Sequence, residues 1–320
     1  MEKSDCSEAR RRAERHVCYL LKSYADLGLS TEEMRAAVLS RDPPRKNNKT
    51  WLLVAAVTVL LASVSYQYSI PSQIFNYVVG VRCLIPNNYF VWEATRPVSD
   101  CHFCSNVTRA LVLPNVTREE FAPYAYSSKP IVIRGAFLHW PALKTFDLQY
   151  FKALYASVPD SHRSVDEECQ FLHFKSDFIS LKDVFDMSQS RVDNLEGERS
   201  WYVGWGNCHP DILEEMRTQY PKPHFLPLDA ELPYKDYVFM GYDDGATMHL
   251  DYINRLMWQA QLRGSKRWKL LPPPECQSVC EGVEFTVVPG DAVLVDTRVW
   301  YHSTKIAPGE FSLSVQSEYG

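Results

Sequence analysis

Between Lys49 and Arg82 no residue carries a formal charge, so the chain must either bury this interval in a core or place it in a membrane. Within it, WLLVAAVTVLLASVSYQYSI at 51–70 is long enough for a helix to cross ~30 Å of hydrocarbon at ~1.5 Å per residue. Trp51 at one end and Tyr66 and Tyr68 at the other suit the two membrane interfaces. A buried core helix is the alternative, which the serines in the run keep open. About fifty residues precede the run, which favours an uncleaved signal-anchor over a signal peptide. The interval divides the chain into a cytosolic helical segment at 1–50, a transmembrane helix at 51–70, a stem at 71–118 and a large domain at 119–320.

Charge sets the orientation. The ten residues before the span hold Arg41, Arg45, Lys46 and Lys49 against Asp42 alone. The positive-inside rule therefore places the N terminus in the cytosol and the C-terminal domain in the lumen. The sequons Asn106-Val-Thr108 and Asn115-Val-Thr117 agree, because both lie on the lumenal side. Asn48-Lys-Thr50 also fits the pattern but faces the cytosol. The reading is a single-pass type II protein of the endoplasmic reticulum or another secretory-pathway membrane. A net charge of −5 gives no reason to expect nucleic acid as a partner.

Seven cysteines follow the span: Cys83, Cys101, Cys104, Cys169, Cys208, Cys276 and Cys280. In an oxidising lumen they can form up to three bridges, with Cys101/Cys104 and Cys276/Cys280 as local candidates. The same C-x2-C and C-x3-C spacings also suit a zinc site built from four thiolates. In the cytosolic segment, SEARRRAERHVCYLLKSYADLGL reads as one helix. A capping box from Ser30 to Glu33 opens a second, which stops at Pro43.

The chemistry concentrates in the large domain. His249 and Asp251, two apart in GATMHLDYI, point to one face of a strand, and His302 follows in VWYHSTK. Two imidazoles and a carboxylate on one side of a metal, with the other side open, make the facial triad of non-haem Fe(II) oxygenases. Only a closed or folded-over sheet can bring the third ligand near. Around these residues, QLRGSKRWKLLPPP reads as strand, Gly-Ser turn and strand, and VEFTVVPGDAVLVDTRVWYH as two short strands about a Pro-Gly-Asp turn. KTFDLQYFKALYASV and ISLKDVFDMSQ read as helices.

KPIVIRG at 129–135 with HWPA at 139–142, HLD at 249–251, GSKRWKLLPP at 264–273, PGD at 289–291 and WYH at 300–302 form an ordered set. It resembles the JmjC (Jumonji C) hydroxylases of the cupin superfamily over roughly residues 119–320, and the small single-domain members most. The resemblance implies a mainly β fold with helical decoration, a double-stranded β-helix of the jelly-roll type. It implies Fe(II) held by His249, Asp251 and His302, and 2-oxoglutarate as co-substrate with its distal carboxylate on Lys266. A solvated hairpin lysine beside Arg267 and Lys269 is the other reading of Lys266. Thr247 and Gln316 are candidate second contacts to the co-substrate. Thr247 stands two residues before the first His where the family often has three, a shift that turns a strand side chain to the other face. The stretch from His249 to Lys266 is also about two residues longer than in a close relative, which predicts a bulge there.

The expected function is Fe(II)- and 2-oxoglutarate-dependent hydroxylation of a side chain on a secretory-pathway protein or peptide, with Asn, Lys, Arg and Pro all open as targets. A non-catalytic JmjC-like membrane-anchored binding or scaffolding module is the alternative, and a cupin isomerase a third class. Tyr237, Tyr242, Tyr252, Trp258 and Trp300 lie near the motifs, as pocket lining or as barrel core. The segment 187–235 is expected to cover the barrel mouth.

Overall fold

The computed structural model describes residues 2–28, 30, 32–33, 35–36, 48–67 and 89–320. They fall into two units, Met1–Val91 and Trp92–Gly320. In the first unit, helix forms over Glu2–Ala25 and Asn48–Gln67. The predicted capping box is present: Glu33 Oε2 accepts the Ser30 N–H at 2.9 Å and the Glu33 N–H donates back to Ser30 Oγ at 3.3 Å. Among the described residues no helix is long and apolar enough to cross a membrane. Residues 68–70, which close the predicted span, lie outside the described residues, as do the side chains of Trp51 and Tyr66. Cys83 and residues 71–88 of the predicted stem also lie outside them.

Strand alternation decides the architecture of the second unit. Its strands are, in chain order, β1 (Leu111–Leu113), β2 (Ile131–Ile133), β3 (Gln170–Leu172), β4 (Tyr202–Asn207), β5 (Asp236–Gly241) and β6 (Leu256–Arg263). There follow β7 (Lys266–Leu271), β8 (Val283–Val287), β9 (Ala292–Val295), β10 (Tyr301–Lys305) and β11 (Ser312–Tyr319). A large sheet runs β1-β2-β9-β6-β11-β5-β4-β3, and a small one runs β10-β7-β8. All pairings are antiparallel except β1 with β2. This is the two-sheet jelly-roll that the sequence implied.

Each strand of the large sheet divides its side chains between two layers. Val203 and Trp205 on β4, Val238 and Met240 on β5, Trp258 and Ala260 on β6, and Leu313 and Val315 on β11 face outward. There they meet the apolar stripes of the helices Leu148–Ser157, Leu181–Phe185 and Pro210–Gln219, through Phe151, Tyr155, Val184, Ile212 and Met216. The alternate set faces the small sheet. Val132, Met257, Val293 and Val295 pack there against Trp268, Leu270, Val283 and Val287. Burying both faces is why β4 and β6 are buried along almost their whole length.

From Trp92 the chain belongs to the second unit, and Leu111–Leu113, within the interval read as stem, is a strand of the large sheet. Two expectations change. The segment 187–235 is not simply a cover for the mouth, because its YVGWGN forms β4, a buried interior strand. The cysteines pair between segments rather than locally, as Cys101–Cys276 and Cys104–Cys280, with Cys169–Cys208 as a third bridge. Bridging uses all four thiols of the alternative zinc site. The predicted bulge is present: between the pairs Leu313–Arg263 and Ser314–Gln261 the extra residue is Leu262 on β6, inside the 249–266 stretch.

Candidate metal centre and co-substrate pocket

His302 lies on β10 with its side chain turned inward, on the same face as Thr304. His249 and Asp251 are not on a regular strand. A single antiparallel bridge, His249 with His302, pins this stretch through N–H to O contacts of 3.0 and 2.8 Å. Asp251 N–H then donates to the carbonyl of Thr297 at 3.0 Å. The irregular backbone still delivers the expected result. One ligand atom from each of His249, Asp251 and His302 lies within 4.8 Å of the others. His249 Nε2 stands 3.2 Å from Asp251 Oδ1, and His302 Nε2 stands 3.7 Å from Asp251 Oδ2. Side-chain exposures of 32% for His249, 21% for Asp251 and 5% for His302 show which side is open to an incoming ligand.

The tautomers follow from the partners. His249 Nδ1 faces the carbonyl of Thr247 at 2.6 Å, and His302 Nδ1 faces the carbonyl of Trp300 at 3.2 Å. A carbonyl only accepts, so each Nδ1 carries a proton and each Nε2 is the nitrogen turned to the centre. Burial pushes His302 down to about 4, which keeps it neutral at pH 7. Burial pushes the Asp251 carboxyl up, but the neighbouring imidazoles outweigh it and hold it below its ordinary range. Burial pushes His249 down as well, but the Asp251 carboxylate beside it outweighs this and pushes it up. Two imidazole nitrogens and one carboxylate oxygen on one side of an open centre suit Fe(II).

Lys266 is the first residue of β7. It shares the inward face with Trp268 and Leu270, while Arg267 and Lys269 point out and pair with Glu284. The solvated-hairpin reading is therefore wrong, since Lys266 is 1% exposed. The turn that starts β7 requires glycine at 264, where φ is +66° and a Cβ would sit 2.0 Å from the carbonyl oxygen of Phe311. Lys266 Nζ donates to Ser314 Oγ at 2.7 Å, Tyr202 Oη at 3.2 Å and Gln259 Oε1 at 3.3 Å. No acid among the described residues forms an ion pair with it, and burial alone pushes it down to about 7. Trp268 links the two sites, with its ring stacked against His302 at 5.8 Å between centroids.

Gln316 is buried and accepts from Gln259 Nε2 at 2.9 Å, one step from Lys266. Thr247 is different. Its side chain is exposed, as the shifted spacing implied, and what reaches the site is its backbone carbonyl. Tyr202, Gln259 and Ser314 were missed by the sequence reading. Ser314 and Gln316 alternate with Leu313 and Val315, a pattern that marks a polar inner face. Of the nearby aromatics, Trp258 and Trp300 are core, whereas Tyr237 stands opposite Gln316 on the inner face.

Fold and site together define a cupin-type jelly-roll with a two-His, one-carboxylate constellation inside. The chain belongs to the cupin-like domain family, whose sequence model matches residues 117–311, and the JmjC resemblance of its motifs stands. It is 28% identical over 172 residues to the lysine-specific demethylase JMJ21 of Arabidopsis thaliana; the match covers 50% of this chain and 16% of that protein. Two structures of YcfD from Escherichia coli, one described as a ribosomal oxygenase, are also similar, each with a TM-score of 0.41. They share 14% and 12% identity and cover 65% and 64% of this chain against 52% and 53% of theirs.

Proposed function

We propose that the chain is an Fe(II)- and 2-oxoglutarate-dependent oxygenase that hydroxylates a side chain of a protein or peptide in the secretory pathway. One observation carries the reading: a buried lysine with no acidic partner among the described residues lies beside a metal-ligand triad, linked to it by Trp268. A buried ammonium that lacks a counter-charge is costly, and a carboxylate of the co-substrate would supply one. In this reading His249, Asp251 and His302 hold the metal, and Lys266, Ser314 and Tyr202 hold the distal carboxylate. Gln259 and Gln316 complete the polar wall. The metal with its keto acid would supply oxygen activation coupled to decarboxylation. The protein's share is to fix the ligands, keep the buried His302 neutral and place charge opposite charge.

Purified full-length chain, supplied with Fe(II), 2-oxoglutarate and candidate lumenal peptides, should release succinate. A His249→Ala variant should not. Absence of turnover together with absence of metal uptake would favour the scaffolding module instead.

The lumenal setting is part of the proposal. Three disulfides fit an oxidising compartment, and Asn106 and Asn115 are both exposed. The anchor would be the run at 51–70, long enough for ~30 Å at ~1.5 Å per residue; its residues 68–70 lie outside the described residues, and Leu52, Leu53, Leu60 and Leu61 are exposed. Glycosidase treatment of protein expressed in cells should increase its gel mobility, in step with removal of the two sequons. Protein that stays unglycosylated and soluble after lysis without detergent would contradict the topology.

A further inference from the structure

His249 and Asp251 sit on chain outside the regular strands, and a separate segment grips the neighbours of Asp251 and of His302. Asp251 lies in irregular backbone with Tyr252 next to it, while Tyr301 precedes His302 at the start of β10. The ring of Trp92 stacks on Tyr252, with centroids 4.5 Å apart and planes at 22°. Glu93 Oε1 accepts the hydroxyl hydrogen of Tyr301 and also faces Arg96 Nε at 3.0 Å. Further along, the ring of Phe103 meets Trp300 edge-on at 5.1 Å. The carbonyl of Trp300 is the acceptor that orients His302.

The same segment is fastened at its other end. Arg96 donates twice to Glu275, at 2.6 and 2.8 Å, and Glu275 also accepts from Ser99 N–H at 2.9 Å. Cys101 and Cys104 are bridged to Cys276 and Cys280, in the connection between β7 and β8. Two disulfides and a bidentate ion pair thus tie a short stretch to one loop. Trp92 and Glu93 extend from that clamp to the ligand-bearing segments.

We propose that Trp92–Cys104 is a positioning strap for the metal centre, in which Trp92 and Glu93 hold the Asp251 and His302 segments at ligand spacing. The proposal rests on the reading of the triad as a metal site. Trp92 and Glu93 touch no ligand atom; they act through Tyr252 and Tyr301, as outer partners of metal ligands do. Sheet pairing alone cannot fix Asp251, because the backbone there has only its bond to Thr297.

The test is a titration of full-length protein with Co(II), an oxygen-stable stand-in for Fe(II), followed by its visible absorption. Trp92→Ala and Glu93→Ala should each weaken Co(II) binding about tenfold or more, with thermal unfolding little changed. Trp92→Phe, which keeps a stacking ring, should restore most of the affinity. In a double-mutant cycle, Tyr301→Phe should add little to Glu93→Ala, because both remove one bond. Wild-type binding in folded Trp92→Ala and Glu93→Ala variants would overturn the strap and leave the metal reading intact. So would a loss of affinity that merely tracks lost stability and is not restored by Trp92→Phe. Failure of the wild type itself to bind Co(II) would overturn the metal reading, and the strap with it.

Discussion

Lys266 Nζ donates to Ser314 Oγ across the barrel interior at 2.7 Å, yet no carboxylate among the described residues balances its charge. That relationship joins the small sheet to the large one and leaves a cation prepared for an anion that the described residues do not supply. Burial pushes the amine down to about 7. Below that pH the ammonium exists before a dicarboxylate arrives. Above it, binding must take up a proton, because a carboxylate partner raises the amine's pKa in the complex.

The sign of the pH dependence follows. Affinity for 2-oxoglutarate should be flat just below pH 7, then fall about tenfold per pH unit above it until the pKa of the complex is reached. Calorimetry across pH 6 to 9, with Co(II) saturating throughout, measures this. Lys266→Met should remove the slope and lower affinity by roughly 1.5–3 kcal/mol, the range for a hydrogen bond to a charged group. Affinity that rose with pH would show that the lysine is not the anion's partner.

The inward face of β4 carries glycine at 204, and the space is already taken. A Cβ there would lie 2.5 Å from Cδ1 of Phe239 and 3.3 Å from Phe174. Phe239 stands under the Lys266 ammonium, 5.7 Å from ring centroid to Nζ. Gly204→Ala should therefore destabilise the fold by about 1–3 kcal/mol, as overpacking does, and weaken 2-oxoglutarate binding together with it. Chemical denaturation and calorimetry on the same sample report the two effects. An alanine tolerated without loss in either would mean that Phe239 has room to move.

Peptide mapping without reduction should find Cys101 linked to Cys276, Cys104 to Cys280 and Cys169 to Cys208. A Cys101–Cys104 or Cys276–Cys280 peptide would contradict the structure. Cys169 and Cys208 are 39 residues apart in sequence, and a loop of that size is worth about 2–4 kcal/mol in the chain-entropy account. Replacing both by serine should lower the unfolding free energy by that order without altering Co(II) binding.

How much of this the sequence revealed depended on the range of the interaction. Turn chemistry and alternation are local, so the Gly264-Ser265 hairpin, the strands around Pro289-Gly290-Asp291 and the helix around Phe151 were all legible. The triad was legible as residue types at a spacing, but the strand assumed to carry His249 and Asp251 is irregular, because its single bridge to His302 comes from a distant segment. Lys266 was ambiguous until register turned it inward beside Trp268. The cage partners Tyr202, Gln259 and Ser314 come from three other strands and had no local signature. The cysteine pairs failed as a local guess for the same reason, since proximity there spans 175 and 176 residues of sequence. Thr247 was the informative departure. Its shifted position did foretell an outward side chain, while its carbonyl took up a role no side-chain motif encodes.

Anomalous X-ray scattering from crystals of the protein loaded with Co(II) tests the central claim most directly. The account predicts one strong peak per chain, at about 2.0–2.2 Å from His249 Nε2, an Asp251 carboxylate oxygen and His302 Nε2. It also predicts that the peak disappears in Asp251→Ala. Density at another cluster, or a peak at the triad that survives loss of Asp251, would contradict it.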